Sequence, residues 1–214
     1  MTNKVDRRTV RTKKEIKETF ISLLEEISFE KVSVRDLTER ANINRGTFYL
    51  HYLDKYDLLE KLEEELFEKV QAIIDETAFS DHMDIVDFTV ERFPFLVRLL
   101  RCFQEEAALM KVLISPNGDA NFKEKIRHVF LYNLEGMIPL VSKAEQLHYP
   151  LDLLIAYISS AHLGVLSYWL EHDLEQSPEE IAALLVDMAS KGPLVASGMD
   201  KMIIKGQHQN HTHI

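Results

Sequence analysis

An all-α chain is predicted, and three observations predict it. Only seven Gly and six Pro are spread over 214 residues, too few for the turns of a strand-rich fold. Apolar residues recur at three- and four-residue spacing in one segment after another. The breaks between segments carry helix-start chemistry: Thr12, Ser33, Asn44, Asp54, Asp119 and Ser177 each stand where a side-chain oxygen caps a first turn. With 46% hydrophobic residues the chain can bury a substantial core. About nine helices are expected. They divide into an N-terminal arm and three-helix head (1–54), a helical body (55–205) and an unstructured tail (206–214).

Met1 to Arg11 is polar and basic and reads as a disordered arm. Thr12-Lys13-Lys14-Glu15 has capping-box spacing. The first helix follows, with Ile16, Phe20, Leu23, Leu24 and Ile27 on one face. After a break at Ser28 to Lys31, Ser33 caps a second helix with Asp36 three residues on, and Val34, Leu37 and Ala41 form its buried stripe. Asn42 sits at the turn, where a left-handed residue is commonly needed and Asn tolerates it. Ile43 fills the corner. Asn44 then opens a very short helix, Arg45 to Tyr49.

That short helix holds the most informative residues. Phe48 is its one core-directed apolar side chain, with Tyr52 four residues on packing beside it. Gly46 weakens the helix where the backbone has to approach something closely. Arg45, Thr47, Tyr49 and His51 offer donors of different lengths. Two helices joined by a turn of three to four residues make a helix-turn-helix, here with the first helix as support. A donor-rich helix held by scaffold helices is what reading a DNA major groove requires.

Val32-Ser33-Val34-Arg35-Asp36-Leu37, Ala41-Asn42-Ile43-Asn44-Arg45-Gly46-Thr47-Phe48-Tyr49-Leu50-His51-Tyr52, Asp54-Lys55 and Leu58-Leu59 follow in order at fixed spacing. Together they closely resemble the tetracycline-repressor (TetR/AcrR) family of bacterial transcriptional regulators. Asn42 stands where Gly is frequent in that pattern.

The resemblance implies a DNA-binding head whose third helix enters the major groove of a palindromic operator. It implies that Arg45 reads a base, since a guanidinium bridges guanine O6 and N7. Arg35 matches a second base-reading position, with simple pairing to Glu39 as the other reading. Gly46, Thr47 and Tyr49 match close backbone approach and phosphate or thymine-methyl contacts, His51 a backbone contact, and Lys55 a phosphate grip at the start of the fourth helix. Lys13, Lys14 and the arm add unspecific charge.

In the body, a long fourth helix runs from Asp54 to Thr77, with Glu60, Glu63, Glu64, Glu65 and Glu68 read as a solvated face. Ala78 to Phe93 has weak periodicity. Pro94 starts a helix through Leu96, Val97, Leu100 and Phe103, and Ala107 to Ile114 forms another. Ser115-Pro116-Asn117-Gly118-Asp119 is a turn whose Asp119 caps the next helix. From Leu151 to His172 a helix is apolar on nearly every side, which calls for burial on both faces. Ser177-Pro178-Glu179-Glu180 is a capping box with Pro at the first helical position. It opens a ninth helix with Ile181, Leu184, Leu185 and Met188, broken at Gly192-Pro193. Helices eight and nine pairing with their copies would make a homodimer interface, as the resemblance also implies.

Net charge is −10, unevenly spread: residues 1–17 hold seven basic and two acidic residues, while the body is acidic. A basic front meets phosphates while the acidic body avoids indiscriminate polyanion binding. Cys102 is the one cysteine, so no disulfide forms within the chain. It reads as a buried structural thiol in a reducing, cytoplasmic setting. No apolar run long enough to span a bilayer is expected and no signal-peptide pattern is seen.

Phosphate loops, zinc spacings and nucleophile elbows are all missing from the sequence, so neither an enzyme nor a cofactor or metal site is expected. The His208, His211 and His213 tail reads as unstructured. The family resemblance implies an effector cavity in the body, with Asn133, Met137, Tyr157, His162 and Trp169 as candidate linings; a core role is the alternative for each. The function expected is a one-component transcriptional regulator, a repressor released by a small-molecule effector. The alternative is a co-regulator switched by a partner protein. The body weakly resembles dihydroxyacetone-kinase regulators around Ile114 to Asp119 and Phe122.

Overall fold

The computed structural model describes residues 7–78, 94–119, 121–141 and 147–198, with side chains left out of the description at 77–78 and 133–141. The described residues form α-helices and one 3-10 turn and no strand. In order these are α1 Arg7–Glu26, the 3-10 turn Phe29–Lys31, α2 Val34–Arg40, α3 Arg45–Tyr49, α4 Lys55–Ala78, α5 Pro94–Glu105, α6 Ala107–Ile114, α7 Phe122–Val141, α8 Leu151–Glu171, α9 Pro178–Lys191 and α10 Pro193–Ala196. The chain is all-α, as expected, and α10 is one short helix more than the periodicity announced. The arm before Arg7, most of the segment 78–93 and the His-containing tail lie outside the described residues.

Two compact units emerge. One comprises Met1–Ala72 with Glu105–Lys125, the other Ile73–Gln104 with Ile126–Ile214.

In the first unit, α1 buries Ile16, Phe20, Leu23 and Leu24. It starts earlier than expected. Thr12 lies inside the helix instead of capping it, and Arg7 to Arg11 are helical. The extra turn gains an i,i+4 pair, Arg11 Nε to Glu15 Oε1 at 2.8 Å, and such pairs favour helix in strong helix formers. Ser33 caps α2 in a full capping box with Asp36. That hydrogen bond holds the Asp36 carboxyl below its ordinary range. Asn42 takes the left-handed conformation, φ 51°. Arg40 forks onto Glu26 with two 2.8 Å bonds, which ties the end of α2 to the end of α1 by a bidentate pair.

The α6–α7 turn belongs to this unit through named bonds. The Phe29 N–H donates to the Asn117 carbonyl at 2.7 Å. Glu106 accepts from Lys17 at 2.7 Å and from Lys69. Burial pushes the Glu106 carboxyl up, but the two ammoniums outweigh it and hold the group below its ordinary range. Gly118 is required by crowding: a Cβ there would lie 2.3 Å from the Val112 carbonyl oxygen. Asp119 caps the following turn through Asn121 N–H at 3.1 Å.

Glu63 departs from the solvated face assigned to it. Glu60, Glu64, Glu65 and Glu68 are exposed, but Glu63 is buried. It pairs with Lys125, which itself also reaches Asp119 at 3.2 Å. Burial raises the Glu63 carboxyl above its ordinary range, opposed by Lys125. Periodicity could not reveal this, because the cation that permits burial is 62 residues away in sequence.

In the second unit, α5 buries Leu96, Leu99, Leu100, Cys102 and Phe103. Ser177 and Glu180 form the expected capping box of α9. Gly192, at φ 76°, separates α9 from α10. Helix α8 packs against α9 and buries Ile155, Ser159, Leu166, Trp169 and Leu170. By length and composition α8 is apolar enough to cross a membrane, which corrects the expectation that no such stretch exists. Two-sided burial is not met within one chain: Leu153, Tyr157 and Tyr168 on α8, and Leu184 and Met188 on α9, are exposed.

Candidate nucleic-acid interface

The candidate interface is α3 and the turn into α4. Asn44 is extended at φ −74°, ψ 144°, and its side-chain oxygen accepts from the Gly46 N–H at 2.8 Å. Phe48 is fully buried and anchors α3, with the Tyr52 ring 5.6 Å away. Tyr52 is 3% exposed, and burial pushes its phenol up to about 12.

With Phe48 fixed inward, the other side chains of this five-residue helix fall outward. Arg45, its first residue, is exposed and makes no ion pair with a described residue. Gly46 is exposed and Thr47 half-buried. Tyr49 is exposed, its ring set edge-on against Phe48. Leu50, the C-cap, is 80% exposed.

The first turn of α4 locks this arrangement. Asp54 Oδ1 accepts from the N–H groups of Tyr56 and Asp57 at 2.8 and 2.9 Å. The Asp57 carboxylate takes the Leu53 N–H at 2.8 Å and Lys61 Nζ at 2.8 Å. The Lys61 bond holds that carboxyl below its ordinary range. Lys61 in turn donates to the His51 carbonyl at 3.1 Å. Lys61 went unremarked in the sequence; the Asp57–Lys61 i,i+4 spacing was the available signal. His51 is half-buried beside Tyr52.

Lys55 is half-buried, and its ammonium donates to the Phe29 and Glu30 carbonyls at 2.9 and 2.8 Å. It also lies 4.9 Å from the Phe29 ring centroid. Arg35 is exposed on α2 and bonds Glu39 Oε1 at 2.6 Å. Thus Arg45, Gly46, Thr47, Tyr49, His51 and Lys55 lie along one short stretch, and Arg35 stands on the preceding helix. In α1, Lys13 and Lys14 are exposed and Lys14 lies 3.7 Å from Glu18.

Comparison with known proteins places this motif. The profile of bacterial regulatory proteins, tetR family, matches residues 21–62, and that of a transcriptional regulator C-terminal region matches residues 91–191. The chain belongs to the tetR family. It is therefore classed with transcriptional regulators and not with enzymes. An uncharacterized HTH-type transcriptional regulator, YxbF of Bacillus subtilis (strain 168), is 24% identical over 180 residues, 83% of this chain and 44% of that protein. The chain thus spans less than half the length of that curated relative. A TetR transcriptional regulator from Streptococcus agalactiae 2603V is 28% identical, with TM-score 0.56 over 86% of this chain and 96% of that one. The dihydroxyacetone kinase operon activator DhaS shares the fold at 19% identity, with TM-score 0.52 over 84% and 94% of the two chains.

Three of the five cavity candidates of this tetR-family protein have described side chains, all on α8. Asn133 and Met137 lie outside the described side chains. Tyr157 is 60% exposed. Trp169 is buried, its indole N–H donating to the Gln176 carbonyl at 2.8 Å. His162 Nδ1 lies 2.7 Å from the Ile158 carbonyl and the ring is 5.6 Å from Phe130. Burial lowers the His162 pKa, so the neutral ring is favoured. His162 and Trp169, seven residues apart, share a face of α8, while Tyr157 lies roughly 140° round the helix from His162.

Proposed function

We propose that this tetR-family protein binds a palindromic DNA operator as a homodimer, represses transcription there, and is released by a small-molecule effector. One observation carries the DNA reading. On α3, held by buried Phe48 and by the Asp57–Lys61–His51 bonds, Arg45 is exposed with no ion-pair partner among the described residues. A pre-positioned guanidinium is suited to bidentate contact with guanine.

Residues 1–54 form the DNA-binding domain in this reading and 55–205 the effector and dimerisation domain. Arg45 and Arg35 read bases. Gly46 lets the backbone approach closely, Thr47 and Tyr49 meet phosphates or thymine methyls, and His51 meets the backbone. Two of the three Lys55 donors serve the 3-10 turn, and the third is free for a phosphate. The dimer forms through α8 and α9, a reading supported by their exposed apolar side chains. Helical heads of such a dimer enter successive major grooves about 34–36 Å apart. An effector shifts binding only by its differential affinity for the two head spacings. The protein acts in the cytoplasm.

The test is fluorescence anisotropy of the full chain on DNA upstream of its own gene, with random DNA as control, at two salt concentrations. Affinity exceeding random DNA by ~10³ or more, with two protomers per site, supports the reading. Equal, salt-labile binding to both duplexes overturns it.

A further inference from the structure

The surroundings of Glu63 suit a carboxylic acid better than a carboxylate. The residue sits on α4, 5% exposed, inside the compact unit that holds the head. One of its oxygens, Oε2, meets the Lys125 ammonium. The other, Oε1, has no accessible surface and no hydrogen-bond donor among the described residues. A water or a cation needs open room beside the oxygen it serves, and Oε1 offers none. A proton needs no such room.

Lys125 is itself divided. It also reaches Asp119 Oδ2 at 3.2 Å, so two carboxyl groups face one ammonium. Asp119 is supplied with donors on both oxygens: Oδ1 accepts from the Asn121 N–H at 3.1 Å and Oδ2 from Lys125. Accepted hydrogen bonds favour the ionised form, and a like charge alongside disfavours a second anion. The two carboxyls also lie within hydrogen-bond reach of each other, a bond that exists only when one of them carries a proton. Lys125 and Asp119 are the charged groups that bear on Glu63 from outside α4, and Glu60 and Glu64 on α4 itself are exposed. Desolvation, with Asp119 beside it, pushes the Glu63 carboxyl up against the pull of Lys125.

We propose that Glu63 holds a proton in the folded head while Asp119 stays ionised, and that this proton latches α4 to the α6–α7 turn. Its loss leaves two anions on one ammonium, one of them buried, and loosens the joint. The same turn accepts the Phe29 N–H, and α4 carries the Asp57–Lys61–His51 bonds that hold α3. Rising pH therefore slackens the support of α3. This last step rests on the DNA-binding reading; the latch itself does not.

The test is thermal melting of the full chain between about pH 4 and 8, across and above the ordinary carboxyl range. A carboxyl raised by folding stabilises the fold at acid pH, and that stabilisation is lost as pH rises through its folded value. Wild type should therefore lose stability with rising pH relative to Glu63→Gln, which keeps the neutral shape. The two folding equilibrium constants should diverge about tenfold for each pH unit over which folded Glu63 keeps a proton that the unfolded chain has lost. An ordinary Glu63–Lys125 ion pair gives the opposite sign, with Glu63→Gln increasingly the weaker as pH rises, and overturns the latch. Lys125→Met should move the wild-type decline to higher pH and Asp119→Asn to lower pH. The Glu63 carboxyl carbon-13 resonance decides the matter without a variant. It should titrate above those of Glu60 and Glu64, and titration with or below them overturns the latch. On duplexes selected by the full-length protein from a randomised pool, wild-type affinity relative to Glu63→Gln should fall over the same pH range. Affinity that does not follow the melts overturns the coupling to α3 alone. A pool that yields no enriched duplex overturns the DNA-binding reading and that coupling, and the melts still decide the latch.

Discussion

The Lys55 ammonium lies 2.9 Å from the Phe29 carbonyl oxygen, so the first turn of α4 is bonded to the turn that follows α1. The same ammonium reaches the Glu30 carbonyl and faces the Phe29 ring. Lys55→Met keeps the aliphatic stem and removes these bonds. Charge-assisted bonds of this kind are worth about 1–3 kcal/mol, and urea denaturation should show a loss in that range. If the third donor meets a phosphate, the slope of log K against log salt should also flatten by about one.

Arg45 should behave in the opposite way. It is exposed and bonds no described carboxylate, so Arg45→Ala should leave the unfolding midpoint within experimental error. On operator DNA it should cost roughly 1–3 kcal/mol and relax preference at one base pair. Competition against single-base operator variants checks this. Equal losses on operator and random DNA would remove Arg45 as a base reader.

Tyr52 gives a pH signature. Its phenol is raised by burial, and further by Glu65 and Asp57, from 10.0 to about 12. The neutral form is therefore favoured in the folded state. Its contribution to stability is complete below pH 10 and is lost as pH rises through about 12, since the unfolded chain ionises first. Thermal melts of wild type and Tyr52→Phe between pH 9 and 12 should diverge, with the wild type falling more steeply. Parallel curves would mean that the phenol titrates normally.

Gly118→Ala tests the α6–α7 turn. The new methyl would meet the backbone oxygens of Val112 and Leu113 at 2.3 and 2.4 Å. Backbone cannot swing aside as a flexible side chain does, so a penalty of about 1–3 kcal/mol is expected. It should appear as a lower urea midpoint at unchanged m-value.

The proposed dimer is checked with charge. Tyr157→Glu and Leu184→Glu each place a carboxylate among exposed apolar side chains of α8 and α9. In sedimentation equilibrium the double variant should run at half the wild-type mass with its helical circular dichroism retained. A wild type that is already monomeric, or a variant that stays dimeric, would refute this interface.

How much of this was legible in the sequence depended on range. Helix starts are local, and Ser33–Asp36, Asn44, Asp54 and Ser177–Glu180 behave as their spacing predicts. The inward Phe48 and Tyr52 and the left-handed Asn42 were equally readable. What escaped was long-range. Glu63 looks like its exposed neighbours until Lys125 is brought beside it. Lys55 looks like a free cation until the carbonyls of Phe29 and Glu30 are placed against it. The start of α1 differs for another reason: Thr12 has cap spacing, but Arg7, Arg8 and Arg11 before it are good helix formers and Arg11 pairs with Glu15.

The bond from the Phe29 N–H to the Asn117 carbonyl has a consequence for grafting. A head grafted onto a relative's body at the end of the motif would be cut at residue 54. Cutting there would strip the 3-10 turn of its Asn117 acceptor and Lys17 of its Glu106 partner. The compact unit that holds the head is discontinuous, residues 1–72 together with 105–125. A chimera that carries both segments should keep the head's melting behaviour, and one spliced at residue 54 should not.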